Sequence, residues 1–246
     1  MEIALCYAGH LRDFKKVYNH NYENIYRPLL ELGNIDVFIH TWDKLGPKFS
    51  WHTYGNGTGG LDKIDVSRTE IINTFKPLLH KIEDYETAKP FLKLNRYTDL
   101  KPKHPAFIND DNICSSTSMF YAIHAADLLR KEAEKVLDKP YDIVVRLRPD
   151  LFYGKLLVKE MDLNNYIYVP HYICHPGNQA WPNYLASDQF AIGNNQNMSC
   201  YSNCFLDLKR LYKEAKEFWS ADEILSNYLR DNNIQIKAIA DKWCWK

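Results

Sequence analysis

The residues of this chain best suited to chemistry are Arg146, Arg148 and Asp150, which end or follow one short apolar run. Residues 143–145 are Ile, Val and Val, a β-branched run typical of a strand that is covered on both faces. In open α/β sheets, ligands bind beyond the carboxyl ends of the strands. Because the planar fork of arginine can donate two hydrogen bonds to one phosphate, the pattern favours an anion site. The alternative is a buried Arg–Asp ion pair that only holds the sheet edge.

The composition indicates a globular chain without an excess of positive charge. Its 246 residues suit one large domain, and 31 basic residues balance 31 acidic ones. Binders of nucleic acid and of membrane surfaces need a positive excess, so neither is an expected partner. There is no run of the roughly 18 apolar residues that a transmembrane segment needs, and no signal-peptide pattern. We therefore expect a cytoplasmic protein (host cytoplasm if the source is viral) with six free thiols.

Strands and helices alternate along the sequence, which predicts an α/β fold with a mostly parallel sheet and helices on both faces. The predicted strands are residues 2–8, 35–42, 79–85, 141–148, 166–170, 187–193 and 234–240. The predicted helices are 13–32, 68–75, 114–137, 195–217 and 221–231. Residues 86–111 are expected to be irregular. The Gly-rich stretch 43–64 is expected to be a mobile loop, which is either an active-site lid or an insertion without a role.

The loop after the first predicted strand is the natural place for a phosphate in such a sheet. There Gly9 would allow a close approach of the backbone, and Arg12 would supply a cation. His10 lies in the same loop, and His40 lies near the end of the second predicted strand. Each histidine is a candidate for ligand binding, and local capping or packing is the alternative. A single glycine is a weaker signal than a GxGxxG loop.

Four segments give the chain a resemblance to small GT-A-like glycosyltransferases of large DNA viruses and bacterial surface-polysaccharide loci. These segments are residues 4–12, 36–43, 141–150 and 187–193. The resemblance implies a Rossmann-like GT-A domain over residues 1–246, with a donor half of about 1–150 and an acceptor half of about 151–246. It implies a hexosyl- or pentosyltransferase that uses a nucleotide-sugar donor and a glycan or glycoprotein acceptor. The donor-binding residues would be Gly9, His10, Arg12, His40, Arg146, Arg148 and Asp150.

The same resemblance raises the question of a metal ion. A DxD motif in the GT-A pattern holds a divalent cation on the donor diphosphate, but this chain has Arg148-Pro149-Asp150 at that position. One expectation is Mn²⁺ or Mg²⁺ held by Asp150, alone or with Asp188. The other is that arginines replace part of the cation's task, because a leaving diphosphate needs positive charge that either group can supply.

The catalytic candidates are Asp188, Asp222 and Glu223. Inverting enzymes of this pattern use a carboxylate as general base, often near the start of a helix in the acceptor half. Asp222 and Glu223 would occupy the first turn of the helix 221–231, where acids also complement the helix dipole or form a capping box with Ser220. That dipole should lower their pKa and so favours Asp188 as the base. The alternative functions are a nucleotide-sugar hydrolase or pyrophosphorylase-like enzyme and a non-catalytic nucleotide- or glycan-binding module.

Overall fold

The computed structural model describes residues 1–46, 64–93, 110–171, 186–214, 221–241 and 244–245. Its strands are β1 (Glu2–Ala8), β2 (Asn34–Trp42), β3 (Leu79–Glu83), β4 (Ile143–Leu147), β5 (Phe152–Tyr153), β6 (Tyr166–His171), β7 (Phe190–Asn194), β8 (Gln235–Asp241) and β9 (Cys244–Trp245). Its α-helices are α1 (Phe14–Asn21), α2 (Arg27–Leu30), α3 (Arg68–Phe75), α4 (Tyr85–Lys93), α5 (Asp110–Leu137), α6 (Asn195–Glu214) and α7 (Ala221–Asp231).

The described strands form a mixed seven-stranded sheet in the order β3-β2-β1-β4-β7-β6-β8. Neighbours pair in parallel except at β7, which is antiparallel to both β4 and β6. Six strands therefore run in one direction, and this confirms the prediction of an α/β fold with a mostly parallel sheet. We call the edge where these six strands end the carboxyl edge, and the opposite edge, where β7 ends, the amino edge.

Helices cover both faces of the sheet because the strands are apolar on both sides. Ala4, Cys6 and Ala8 of β1 pack into the core on the side of α5, α6 and α7. The alternate residues of β1 pack into a second core on the side of α1 and α3, with Phe14 and Phe75. This alternation follows from the pleat, which directs successive side chains to opposite faces.

The first predicted helix is interrupted by a π-helical segment, Tyr22–Tyr26, between α1 and α2. Pro28 explains the interruption, because proline has no N–H to donate to the carbonyl of Asn24 four residues earlier. The Asn24 carbonyl instead accepts a hydrogen bond from the Leu156 N–H at 2.9 Å. The interruption thus ties this helix to the chain that follows β5.

Two sequence expectations differ from the structure. Residues 86–111 were expected to be irregular, but α4 occupies 85–93 and α5 begins at residue 110, while residues 94–109 lie outside the described ranges. Asp84 begins α4, since its Oδ1 accepts the Thr87 N–H at 2.7 Å, and Pro90 is accommodated inside the helix. The strand expected from residue 187 begins at Phe190, because Ser187 and Asp188 form a polar loop before it.

Several expectations concern residues outside the described ranges. Most of the stretch 43–64, the end of the predicted helix 195–217, and Ser220 lie there. Cys6, Cys200 and Cys204 are free thiols, and the other cysteine side chains also lie outside what is described. Among the described residues, no helix has both the length and the hydropathy needed to cross a bilayer.

Candidate functional site

Two arginines converge on one carboxylate at the carboxyl edge. Arg148 follows β4 and donates from Nε to Asp150 Oδ1 at 3.0 Å and from Nη2 to Oδ2 at 2.8 Å. Arg12, in the loop after β1, donates from Nη1 to the same Oδ2 at 2.8 Å. We call these three residues the arginine cluster. The sequence analysis assigned these residues to one donor site, and the structure brings them together because the carboxyl ends of β1 and β4 are neighbours.

The arginine cluster remains ionised and retains a positive excess. Burial raises the pKa of Asp150, but the charges of Arg148 and Arg12 outweigh it and hold that pKa well below its usual range. Burial lowers the pKa of Arg12, whereas for Arg148 the charge of Asp150 overcomes burial and raises the pKa. The Asp150 side chain is 4% exposed and each arginine side chain 17% exposed. Thus the anion is covered while both cations reach the surface.

The position of Arg148 is fixed by a set of hydrogen bonds from β5 and α1. The Tyr153 hydroxyl accepts the Arg148 N–H at 3.0 Å and lies 3.0 Å from the carbonyls of Arg148 and Gln189. Buried Asn21 on α1 donates to the Leu151 carbonyl at 2.6 Å and accepts the Tyr153 N–H at 3.1 Å. The turn that carries the arginine cluster is therefore anchored to a helix.

Arg146 on β4 is a buried cation that is incompletely hydrogen-bonded within the described part of the chain. The residue is 2% exposed, and neither Nε nor Nη1 has a hydrogen-bond partner. It lies between Cys6 of β1 and Ala191 of β7 in the sheet. Burying guanidinium N–H groups without hydrogen-bond partners is costly, and a fully satisfied structural ion pair would not leave them so. Such a group fits the anionic part of a ligand.

Asp188 and Asp222 form a second feature, which we call the carboxyl pair. The Asp188 N–H donates to Asp222 Oδ1 at 3.4 Å, and the Asp188 residue is 9% exposed. Burial, followed by the charge of Asp188, raises the pKa of Asp222 well above its usual range. The expectation that the helix dipole would lower this pKa was therefore wrong, because desolvation and a like charge dominate.

The carboxyl pair lies next to the arginine cluster. The Arg148 N–H donates to the carbonyl of Gln189, the residue after Asp188, at 2.9 Å. The negative charge of Asp188 favours the charged form of both arginines, although burial lowers the pKa of Arg12 overall. The charges of Arg146, Asp188 and Asp222 all act on the pKa of Tyr201, so these groups share one neighbourhood.

The carboxyl pair is also held in place by its neighbours. The Tyr201 hydroxyl donates to the Ser187 carbonyl at 2.7 Å, and the Ala186 N–H donates to Ser226 Oγ on α7 at 2.7 Å. Glu223 is half-buried in the first turn of α7, but the α7 side chain that accepts the Asp188 N–H is that of Asp222.

The loop after β1 leaves room for a ligand at Gly9 but not at His10. Gly9 has φ +108°, and a Cβ there would meet nothing within 4 Å. His10 packs against Trp42 and Tyr85, and a Cβ at Gly46 (φ +92°) would collide with its ring. Burial, followed by the charge of Arg12, lowers the pKa of His10 to about 4. His10 is therefore neutral near pH 7 and adds no charge for a phosphate.

His40 belongs to a separate cluster beside the site. Its ring Nε2 lies 2.6 Å from Glu83 Oε2, and the Tyr121 hydroxyl donates to the same oxygen at 2.7 Å. Burial lowers the pKa of His40, while that of Glu83 is lowered to about 2, chiefly by the hydrogen bond with His40. A neutral imidazole thus donates to a carboxylate. The role of His40 in donor binding stays a prediction.

Asp150 does not fit the expected role of a metal ligand. Both of its oxygens accept hydrogen bonds from guanidinium groups, and two adjacent cations would repel a third. Among the described residues, no group of three or more His, Cys, Asp or Glu side chains could hold a metal ion. The arginines occupy the place where the GT-A resemblance would put the cation.

Sequence reasoning missed the residues that support the site. Asn21 was detectable as a polar residue on the apolar face of the first helix, at a position that the 3.6-residue period assigns to the core. Gly46 and Tyr153 carried no such signal, because their roles depend on contacts with residues distant in sequence.

Comparisons with known proteins do not identify a family. No protein-family model matches the chain, and a search of curated proteins gives no match.

Proposed function

We propose that this chain is a glycosyltransferase that moves a sugar from a nucleoside-diphosphate donor to a hydroxyl group of a glycan. One observation carries the proposal: a guanidinium-rich anion site and a carboxyl pair lie at the same edge of the sheet, where the Arg148 N–H bonds to the carbonyl of the residue after Asp188. A sugar transfer needs both, since positive charge stabilises the leaving diphosphate and a carboxylate accepts the proton of the acceptor. The α/β fold and the segments that resemble GT-A-like enzymes agree with this assignment.

The reaction assigns a task to each group. The acceptor oxygen attacks the anomeric carbon, the bond from that carbon to the phosphate oxygen breaks, and its electron pair leaves with the nucleoside diphosphate. Arg12 and Arg148 bind the diphosphate, and Arg146 supplies a third positive charge from its buried position on β4. Asp188 accepts the hydroxyl proton, while Asp222, whose pKa is raised, accepts the Asp188 N–H and keeps Asp188 in place.

In this proposal the arginines supply the positive charge that stabilises the leaving diphosphate, so no step requires a divalent cation. Asp150 orients Arg148 and Arg12 through three hydrogen bonds. We therefore expect transfer to continue after chelation.

The test is an assay with UDP- and GDP-linked hexoses and pentoses, with and without oligosaccharide acceptors. Each reaction is run in excess EDTA and again with Mn²⁺. Release of nucleoside diphosphate that depends on acceptor, with an acceptor mass increase of one sugar residue in EDTA, would support the proposal. Release without acceptor would indicate a hydrolase, and binding without release a non-catalytic module. Complete loss in EDTA that Mn²⁺ restores would contradict the assignment of the charge to arginine.

A further inference from the structure

An open surface pocket, which we call the cavity, lies at the amino edge, on the side of the sheet away from the arginine cluster. It has a volume of about 430 Å³ and lies where β6 and β8 begin and α6 starts. This volume falls within the range of roughly 300–1,000 Å³ that small-molecule sites occupy. The length of the strands separates the cavity from the candidate active site.

Most of the residues that line the cavity carry a side-chain amide. The lining residues that matter here are Asn164, Asn165, Asn197, Asn233, Gln235 and Tyr166. Among the described residues, no charged side chain lines it. A carboxamide offers two donors and one acceptor without charge, which complements a hydroxyl group that both donates and accepts. An uncharged lining also gives no attraction for a phosphate or a nucleotide.

The backbone around these amides is held by turns and caps. Asn194 Oδ1 accepts the Asn197 N–H at 2.8 Å, and its Nδ2 donates to the Asn164 carbonyl at 3.1 Å. Asn165 Nδ2 donates to Asp162 at 2.8 Å. Asn233 has φ +58°, a left-handed conformation that suits asparagine at the end of α7. These contacts hold the backbone segments that carry the amides, and Asn165 already uses one of its donors on Asp162.

An anion at the start of α6 is the competing occupant. The Asn197 N–H of its first turn is already bonded to Asn194, and Lys237, the nearby cation, lies over the Tyr166 ring at 3.8 Å. The cavity therefore offers neither a free first-turn N–H at Asn197 nor a cation in its lining.

From this lining we infer that the cavity is a binding site for a neutral carbohydrate, separate from the site of transfer. The inference does not rest on the proposed function, because it concerns other residues at the opposite edge of the sheet.

The test is saturation-transfer NMR on the full chain with methyl glycosides of glucose, galactose, mannose and N-acetylglucosamine. Inorganic phosphate serves as the anion probe. We expect at least one glycoside to bind and to remain bound when UDP or GDP is added. Asn197→Ala and Gln235→Ala should each weaken binding about 2- to 10-fold, the effect of one neutral hydrogen bond. Gln196→Ala is the matched control, since Gln196 is an exposed amide of the same helix outside the lining.

Three outcomes would overturn the inference. The first is that none of the four glycosides binds, or that phosphate alone does. The second is an equal loss of binding in Gln196→Ala. The third is displacement of the glycoside by UDP or GDP, which would assign its binding to the carboxyl edge.

Discussion

Asp188 and Asp222 are chemically similar side chains to which the structure gives different tasks. Conversion to the amide keeps the shape of a carboxyl group and removes its basicity. Asp188→Asn should lower turnover roughly 100-fold or more, the usual effect of losing a general base, with donor binding unchanged. Asp222→Asn should lower it less, because the amide oxygen can still accept the Asp188 N–H. Turnover measured at saturating donor checks this. The reverse order, or near-normal turnover in both variants, would remove Asp188 as the base.

The raised pKa of Asp222 also predicts a pH-dependent change in stability. A carboxyl group whose pKa is higher in the folded than in the unfolded state stabilises the fold below its unfolded pKa of about 3.9. That contribution is lost as the pH rises through the folded pKa. Asp222→Asn cannot ionise, so its melting temperature relative to the wild type should be more favourable at pH 8 than at pH 4. A difference that is the same at both pH values would show that Asp222 has no raised pKa.

Single residues show how far the sequence could be used to predict this site. Arg148 and Asp150 are two positions apart, and Arg12 joins them because both loops follow neighbouring parallel strands. The lack of hydrogen-bond partners for Nε and Nη1 of Arg146 could not be predicted, because a partner could have come from any element packed on β4. The direction in which the pKa of Asp222 shifts was predicted wrongly for a similar reason. The helix dipole can be inferred from sequence, whereas burial and the proximity of Asp188 require the fold.

Helix α1 contributes to the core and also anchors the turn that carries Arg148. Its buried Asn21 binds the Leu151 carbonyl and the Tyr153 N–H, so Asn21→Ala would leave two buried backbone groups unpaired. We expect a loss of roughly 2–4 kcal/mol in the free energy of unfolding, and weaker donor binding because the turn carrying Arg148 loosens. Urea denaturation and calorimetric titration measure the two effects.

The control for this prediction is Asn19→Ala, an exposed asparagine of the same helix. Its free energy of unfolding should remain within about 0.5 kcal/mol of the wild type. If Asn21→Ala were as stable as Asn19→Ala, the anchoring of the turn by α1 would be refuted.

Some helices and strands could be predicted from the sequence, and others could not. The positions of most strands and of α7 followed from apolar periodicity. The antiparallel direction of β7 did not, because a strand reads the same in either direction when both of its faces are buried. Helix α4 was missed because prolines such as Pro90 favour an irregular segment, whereas the structure accommodates Pro90 in a helix that Asp84 caps.

For the whole molecule, the buried histidine His10 predicts a loss of stability in mild acid. Its pKa is about 4 in the fold, against 6.5 in an unfolded chain. Its contribution to stability is therefore complete above about pH 6.5 and declines as the pH falls toward 4, by about 2–3 kcal/mol. Unfolding free energies measured between pH 4 and pH 8 should show this decline. In His10→Phe, which keeps an aromatic ring against Trp42 and Tyr85, the decline should be smaller. An unchanged slope in that variant would mean that another group causes it.

The central claim is that arginines at the carboxyl edge bind a donor diphosphate without a metal ion. Calorimetric titration of UDP and GDP in EDTA tests it most directly, on the wild type, Arg148→Ala and the control Arg210→Ala. Arg210 is an ion-paired arginine on α6 that contacts Asp207, Glu214 and Asp231, outside the site. The account predicts binding by the wild type and by Arg210→Ala. It predicts an affinity roughly 10- to 100-fold lower in Arg148→Ala, since a hydrogen bond to a charged group contributes about 1.5–3 kcal/mol. Equal affinities in a folded Arg148→Ala, or no binding of either nucleotide by the wild type, would contradict it.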